Sequence, residues 1–174
     1  MKNNFSKVDL AIGDIEQFLD KILSNLATSQ INVSKFELDH IAYRTDSSNS
    51  YEVLLRLITE SYGELMKEAV IRERRVSIIK LSKPIIYHDF DIRYLELMEP
   101  ATGDEHPNGL EHAEFVVDPN LKSFLALYPE THFTFKDRKV NPELSIKFSN
   151  NANIKFHTHD IGEILKLQEQ TGEL

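Results

Sequence analysis

The chain has 174 residues and a mass of 20.1 kDa, which suits one compact domain or two half-domains that share a core. It contains no cysteine, which excludes disulfides, thiolate nucleophiles, iron–sulfur clusters and cysteine-ligated zinc, so a transition metal would need His with Asp or Glu. The 28 acidic and 20 basic residues give a formal charge of -8, which opposes nonspecific binding to nucleic acid or anionic lipid.

The start of the chain, "MKNNFSKVDL", has no long apolar core followed by small residues. No apolar run approaches the ~20 residues of a membrane span. Glycine-rich phosphate loops and the GxSxG and HExxH motifs are absent as well. We therefore expect a cytoplasmic protein that has neither a nucleic acid nor a membrane as its partner.

The first predicted element is an amphipathic helix in "FSKVDLAIGDIEQFLDKILSNLATS". Ser6 and Asp9 resemble a capping box at its start. Its apolar residues recur at steps of three and four, as expected for one buried helix face: Val8, Ile12, Ile15, Leu19, Ile22 and Leu26. A stripe of this kind supplies burial and no chemistry, so we predict a structural helical segment over residues 1–35.

The chain then alternates between strand and helix signals. A strand is predicted at "FELDHIAYRT", then a turn or cap at "DSSNS", and then a helix at "YEVLLRLITESYG" that ends at Gly63. Three more strands are predicted at "ELMKEAVIRE", "RVSIIKLS" and "DFDIRYLEL". The order of this first series, residues 36–104, is β-α-β-β-β.

The same order returns after the linker "MEPATGDEHPNG", whose prolines and glycines place a boundary near residue 104. A strand at "NGLEHAEFVV" precedes a helix with Asp118 as its N-cap and Pro119 as its first residue, and strands follow at "HFTFKDRK", "ELSIKFS" and "NIKFHTH". A closing helix at "HDIGEILKLQEQ" has Asp160 and Glu163 in capping-box positions. We predict an α+β protein in which paired βαβββ modules, the second over residues 105–174, follow the amino-terminal helix in one compact domain.

A repeated phrase links the two modules: "LDHIAYR" contains His40, and "LEHAEFV" contains His112. A histidine in a strand that is otherwise buried needs a hydrogen-bond partner or a metal ion. A lone histidine of this kind is more often a core residue held by a hydrogen bond, but two at matching places favour a shared site. Strand side chains alternate between faces, so Lys155 and His157 of the last strand would lie opposite Ile154 and Phe156 and could turn toward that site.

Tandem βαβββ modules make the chain resemble the vicinal oxygen chelate superfamily, which includes glyoxalase I, extradiol dioxygenases and bleomycin-binding proteins. More narrowly, it resembles the YecM family in the phrases "DHIAYR", "IIKL", "YLELMEP", "HPNGLEHAEFVV" and "NIKFHTHDIGEIL" and in the added amino-terminal helix. In the superfamily, a metal ion in the cleft between two modules is held by residues from the first and last strand of each module. The resemblance therefore implies four ligands here: His40, Glu96, His112 and His157.

These ligand types would suit a divalent ion such as Zn, Ni, Mn, Co or Fe, with positions left open for water or substrate. His157 stands where glyoxalase-type members commonly have glutamate, which removes an obvious proton-abstracting carboxylate and argues against glyoxalase chemistry. His159 is the rival of His157, but Asp160 as a helix cap indicates that the strand has already ended. His88, His106 and His132 have no matching partner and are expected to be solvated.

Two other polar residues share faces with the repeated histidines, and they are candidates for substrate contact or for support of the ligands. Glu114 could replace Glu96 as a ligand, orient a ligand or act as a base. Arg44 could bind an anionic substrate oxygen. The alternative for both is an ion pair between Arg44 and Glu114.

We therefore expect a metal-binding protein of the superfamily: a metal-dependent isomerase, lyase or dioxygenase acting on a small oxygenated metabolite. The alternative is a non-catalytic protein that binds or sequesters a small molecule in the same cleft. A further alternative is that the histidines only stabilise a metal-free fold. Each chain carries both modules, so a monomer could complete the cleft, and the sequence does not rule out a dimer.

Overall fold

The computed structural model describes residues 9–103 and 105–171. Over these residues the elements are, in chain order, α1 (Asp9–Ile12), α2 (Ile15–Thr28), β1 (Glu37–Arg44), α3 (Ser48–Ser61), β2 (Gly63–Ile71), β3 (Arg74–Tyr87), β4 (Phe90–Met98), β5 (Gly109–Val116), α4 (Leu121–Leu127), β6 (Thr134–Lys136), β7 (Glu143–Lys147), β8 (Asn153–His157) and α5 (Ile161–Thr171). The predicted α+β class and the repeated β-α-β-β-β order are confirmed. The predicted cap at Ser6, the stripe residue Val8 and the boundary near residue 104 lie outside the described residues.

The described residues fall into two compact units. The first contains His40–Glu111 and the chain up to Phe18, and its strands are ordered β2-β3-β4-β1. The second contains Leu19–Asp39 and the chain from His112 onward, and its strands are ordered β5-β8-β7-β6. In each unit the first strand pairs in parallel with the last, β1 with β4 and β5 with β8, while the other pairs are antiparallel. The two units therefore repeat one topology.

The predicted first helix is interrupted, which corrects the expectation of a single continuous element. Gly13 has a φ of 92°, in the left-handed region that favours glycine, and it separates α1 from α2. Asp14 then caps α2, because its Oδ1 accepts a hydrogen bond from the Gln17 backbone N–H at 2.8 Å. The apolar stripe holds across the break: Ile12, Ile15, Leu19, Ile22 and Leu26 are all buried.

Two further helix ends differ from the prediction. Gly63 does not end α3; the helix ends at Ser61, Tyr62 is its C-cap, and Gly63 is the first residue of β2. The N-cap of α4 is Asn120, whose Oδ1 accepts from the Ser123 N–H at 2.9 Å, and not Asp118. Asn120 is the N-cap because the helix begins at Leu121, after Pro119 and not at it.

The second unit has an aromatic core centred on Phe156 of β8. Its ring lies 4.6 Å from that of Phe124 and 5.8 Å from that of Phe133, measured between centroids. Phe115 of the paired strand stacks on it at 6.0 Å. This packing fixes which side of β8 faces inward, and it confirms the predicted alternation that turns Lys155 and His157 to the opposite side.

In the first unit a polar network joins α3 to the sheet. The Arg75 guanidinium donates to both carboxylate oxygens of Glu99, at 3.2 and 3.0 Å, and lies 4.6 Å from the centroid of the Tyr51 ring. The Tyr51 hydroxyl lies 2.6 Å from Ser77 Oγ and donates to Glu68 at 2.8 Å. Burial raises the pKa of Tyr51. Hydrogen bonds from Arg75 hold the pKa of Glu99 at about 2.

We expect Glu99→Gln to cost about 1–2 kcal/mol of unfolding free energy at pH 7, because a bidentate charged contact becomes a neutral one. The folded pKa of Glu99 lies below its ordinary value of 4.5, so its contribution is present above pH 4.5 and is lost as the pH falls toward 2. Urea unfolding of wild type and variant at pH 7 and pH 3 tests this. A stability difference that is no smaller at pH 3 would contradict it.

Within residues 9–103 and 105–171, none of the helices combines the length and the apolar character that a membrane crossing demands.

Candidate functional site

The first unit places His40 of β1 and Glu96 of β4 on the same side of two paired strands. His40 lies opposite Tyr94, and Ala42, two residues further on, lies opposite Glu96. The imidazole is buried and the carboxylate is half-buried, and a ligand atom of one lies within 4.8 Å of a ligand atom of the other. This pair could supply two ligands to a metal ion.

The second unit pairs His112 with Glu114, both on β5 and both buried. Because they are two residues apart on a strand, their side chains share a face. His112 Nε2 lies 3.1 Å from Glu114 Oε1. This second His and carboxylate pair also has the chemistry of a metal-ligating pair.

The strand register shows which residue of the second unit corresponds to Glu96. In the first unit, Glu96 lies opposite the residue two positions after His40; in the second unit, the residue two positions after His112 is Glu114, and it lies opposite Lys155. The register equivalent of Glu96 is therefore Lys155. His157 lies two residues further along β8, opposite Val116.

Lys155 makes close contacts with both members of the second pair. Its Nζ donates to Glu114 Oε1 at 2.6 Å and lies 2.8 Å from His112 Nε2. A lysine is an ammonium at neutral pH, with protons to donate and no lone pair to accept. His112 Nε2 therefore accepts from Lys155, so the ring proton lies on Nδ1. Alternation along the strand predicted that Lys155 lies on this side, but the sequence indicated no role for it.

His157 is buried and has an acceptor at each ring nitrogen. Nδ1 lies 3.0 Å from the Pro142 carbonyl oxygen, and Nε2 lies 2.9 Å from Glu114 Oε2. A neutral imidazole has a single N–H, so both contacts are hydrogen bonds only if the ring carries two protons or the carboxyl carries one. The Pro142 carbonyl can only accept, so His157 Nδ1 donates to it and Nε2 is the ring nitrogen that faces Glu114.

Glu143 at the start of β7 adds a second buried carboxylate to this unit. Lys136 Nζ donates to its Oε1 at 2.5 Å, and Arg138 Nη2 lies 3.6 Å from its Oε2. Burial acts to raise the pKa of Glu143, but the positive charges of Lys155 and Lys136 outweigh it and hold the pKa below its ordinary value. An ionised Glu143 therefore adds negative potential around Lys155. The sequence offered no signal for this residue beyond its position in a predicted strand.

The acidic residue of the repeated phrase has a different partner in each unit. Glu111 forms an ion pair with Arg44. Asp39 accepts a hydrogen bond from the backbone N–H of Ile161, the first residue of α5, at 3.1 Å. Arg44 therefore forms an ion pair, as the alternative to substrate binding predicted. Its partner is Glu111, whereas the prediction named Glu114.

The other histidines behave as expected. His88, His106 and His132 are exposed. His159 is also exposed, and its Nδ1 lies 3.2 Å from Glu163 Oε2. Asp160 caps α5 by accepting from the Glu163 N–H at 3.0 Å, so β8 ends at His157 as predicted. His157 and not His159 is therefore the buried histidine of this strand.

Solved structures of methylmalonyl-CoA epimerases share this architecture. The enzyme from Mycobacterium tuberculosis superposes with a TM-score of 0.51 at 12% identity, over 70% of this chain and 86% of that chain. The Streptomyces coelicolor enzyme in complex with 2-nitronate-propionyl-CoA gives a TM-score of 0.51 at 12% identity, over 71% and 98%. The protein therefore has the vicinal oxygen chelate fold, as predicted.

A narrower relationship comes from the sequence itself. The pattern of the YecM protein family matches residues 7–150. An uncharacterized protein of Haemophilus influenzae is 26% identical over 180 residues, which cover 90% of this chain and 92% of that protein. A structural-genomics structure titled protein EC4020 superposes with a TM-score of 0.71 at 24% identity, over 91% and 94% of the two chains. The chain belongs to the YecM family, which confirms the predicted resemblance.

Proposed function

We propose that this protein is a metal-dependent enzyme, of the isomerase, lyase or dioxygenase type, that acts on a small oxygenated metabolite. The observation that carries the proposal is the repetition of one arrangement. Each unit has a buried histidine on its first strand, His40 or His112, with a carboxylate beside it. Burying imidazoles and carboxylates in both halves costs free energy unless these groups have partners. A divalent metal ion is a partner that both groups bind well.

The proposed ligands are His40, Glu96, His112 and Glu114. The resemblance implied His157 at the fourth position, but its two ring nitrogens already face the Pro142 carbonyl and the Glu114 carboxylate, which favours Glu114 as the ligand. His157 then orients Glu114, and the Pro142 carbonyl orients His157. Arg44 is not part of the proposed substrate site, because Glu111 already binds its guanidinium.

Two imidazoles and two carboxylates fit Zn, Ni, Mn, Co or Fe, and the donor set does not select one of them. A bound ion of this kind would supply Lewis acidity, which polarises substrate oxygens and stabilises negative charge. The small-molecule complex of the Streptomyces coelicolor epimerase supports a small-molecule ligand for this fold. The net charge of -8 supports a role that does not involve nucleic acid.

Metal content measured by mass spectrometry tests the proposal directly. Tag-free protein from cells grown in mixed metals is expected to contain close to one ion per chain, and a His40→Ala, His112→Ala double variant less than about a tenth of that, since two of four ligands are gone. A His88→Ala, His132→Ala double variant is the matched control, because both side chains are exposed.

Circular dichroism must show that the first double variant still folds, so that lost metal means lost ligands. Equal metal content in both double variants would contradict the proposed ligands. No metal in wild type, even after reconstitution with each candidate ion, would contradict the metal-dependent function itself.

A further inference from the structure

Strand pairing and burial fix the position of the Lys155 side chain. The parallel pairing of β5 with β8 puts it directly opposite Glu114, and Phe115 with Phe156 lock the register from the other face. Its side chain is only 18% exposed. It also holds the register position that Glu96 holds in the first unit. An ammonium group thus stands where the repeat would have a carboxylate.

The contacts of Lys155 use the lone pairs that a metal ion would need. Its Nζ lies 2.8 Å from His112 Nε2 and 2.6 Å from Glu114 Oε1. A metal ion held by those two atoms would lie about 2 Å from each. An ammonium and a divalent cation cannot both occupy that space, and their charges repel each other.

We propose that Lys155 competes with the metal ion for His112 and Glu114, so that binding of the ion and release of Lys155 are one event. This inference rests on the proposed metal site and adds a residue that sets its affinity. An ion must bind strongly enough to displace a charge-assisted hydrogen bond, so an ion that binds weakly, such as Mn²⁺, would occupy the site only at higher concentration. The displaced ammonium, which keeps Glu143 as a neighbouring negative charge, provides a cation beside the metal for an anionic substrate oxygen.

The test is titration of chelator-stripped, tag-free protein with Co²⁺, followed by calorimetry and by the visible absorption of the bound ion. Lys155→Met is expected to bind Co²⁺ at least 10-fold more tightly than wild type. Lys147→Met, at an exposed position on β7, is the matched control and is expected to stay within twofold of wild type. The affinity for Mn²⁺ should rise in Lys155→Met by the same factor as the affinity for Co²⁺, because one competitor opposes both ions.

A second measurement needs no variant and holds if Lys155→Met fails to fold. Amine-reactive labelling of wild type, mapped by peptide mass spectrometry, should modify Lys155 at least fivefold faster once Co²⁺ is added, while Lys147 is unchanged.

The outcomes separate the two proposals. If wild type binds Co²⁺ and neither the affinity in Lys155→Met nor the labelling changes, the competition is overturned and the metal site stands. If only Lys155→Met binds Co²⁺, the competition stands and metal dependence of the natural chain is overturned. If neither protein binds Co²⁺, both are overturned.

Discussion

The Glu114→Gln variant is expected to melt about 6–12 °C below wild type in excess chelator, a loss of roughly 3 kcal/mol. The reason lies in the three nitrogen atoms that surround this one carboxylate, one of them the ammonium of Lys155. Lys155 Nζ, His112 Nε2 and His157 Nε2 all lie within 3.1 Å of its two oxygens. Removing the negative charge deprives an ammonium in a largely buried position of the carboxylate that lies 2.6 Å from it. Thermal unfolding followed by circular dichroism measures the loss.

Two controls give this prediction its discriminating power. Glu130→Gln removes an exposed carboxylate of the same unit and should change the melting temperature by less than about 2 °C. Adding Lys155→Met to Glu114→Gln should restore part of the lost stability, because the ammonium that lost its Glu114 contact is then gone. A double variant that is less stable than Glu114→Gln alone would show that Lys155 contributes through packing and not through its charge.

Gly63→Ala is expected to cost about 3 kcal/mol, from a single added methyl group. A Cβ at Gly63 would lie 2.5 Å from the Lys80 carbonyl oxygen and 2.8 Å from Ile79 Cγ2. The first of these atoms belongs to the backbone of the paired strand β3. The added methyl group would fit only if β2 and β3 moved apart where Gly63 pairs with β3. Chemical denaturation at neutral pH measures the change.

Gly109→Ala is the matched variant, because Gly109 is also the first residue of a strand, and nothing lies within 4 Å of the Cβ it would gain. It should leave stability unchanged or slightly raised, since alanine restricts the unfolded chain. Equal effects of the two substitutions would mean that the close approach of Lys80 is not what requires glycine at position 63.

Hydrophobic periodicity was enough to predict the repeated order of strands and helices, because each strand and helix buries one face and the pattern records that face. The burial of Ile12, Ile15, Leu19, Ile22 and Leu26 follows directly from it. The break at Gly13 did not follow, because the stripe continues in phase across it. The prediction that Gly63 ends a helix was wrong for a related reason. Glycine after a helix is typical of a C-cap, whereas here the requirement for glycine comes from the backbone of Lys80, which is distant in sequence.

For the candidate site, alternation along strands predicted correctly that His40 and His112 are buried and that Lys155 and His157 share a side. Alternation along one strand does not predict which residues of two paired strands lie opposite each other. Matching His157 to Glu96 rested on their places in the last strands, whereas the pairing of β5 with β8 makes Lys155 the equivalent. The acids of the repeated phrase also diverge, because Asp39 and Glu111 meet partners that the phrase itself does not encode.

The placement of α2 has a consequence for synthesis on the ribosome. Asn25 accepts a hydrogen bond from Asn150, 125 residues later, and the Asn32 N–H bonds to the Tyr128 hydroxyl 96 residues later. At roughly 5–20 residues per second, the segment Leu19–Asp39 waits about 5–25 s for the unit it belongs to. By the later part of that interval the first βαβββ series is complete, while the segment Leu19–Asp39 still lacks the strands of its own unit, so we expect it to become ordered last although it is made early.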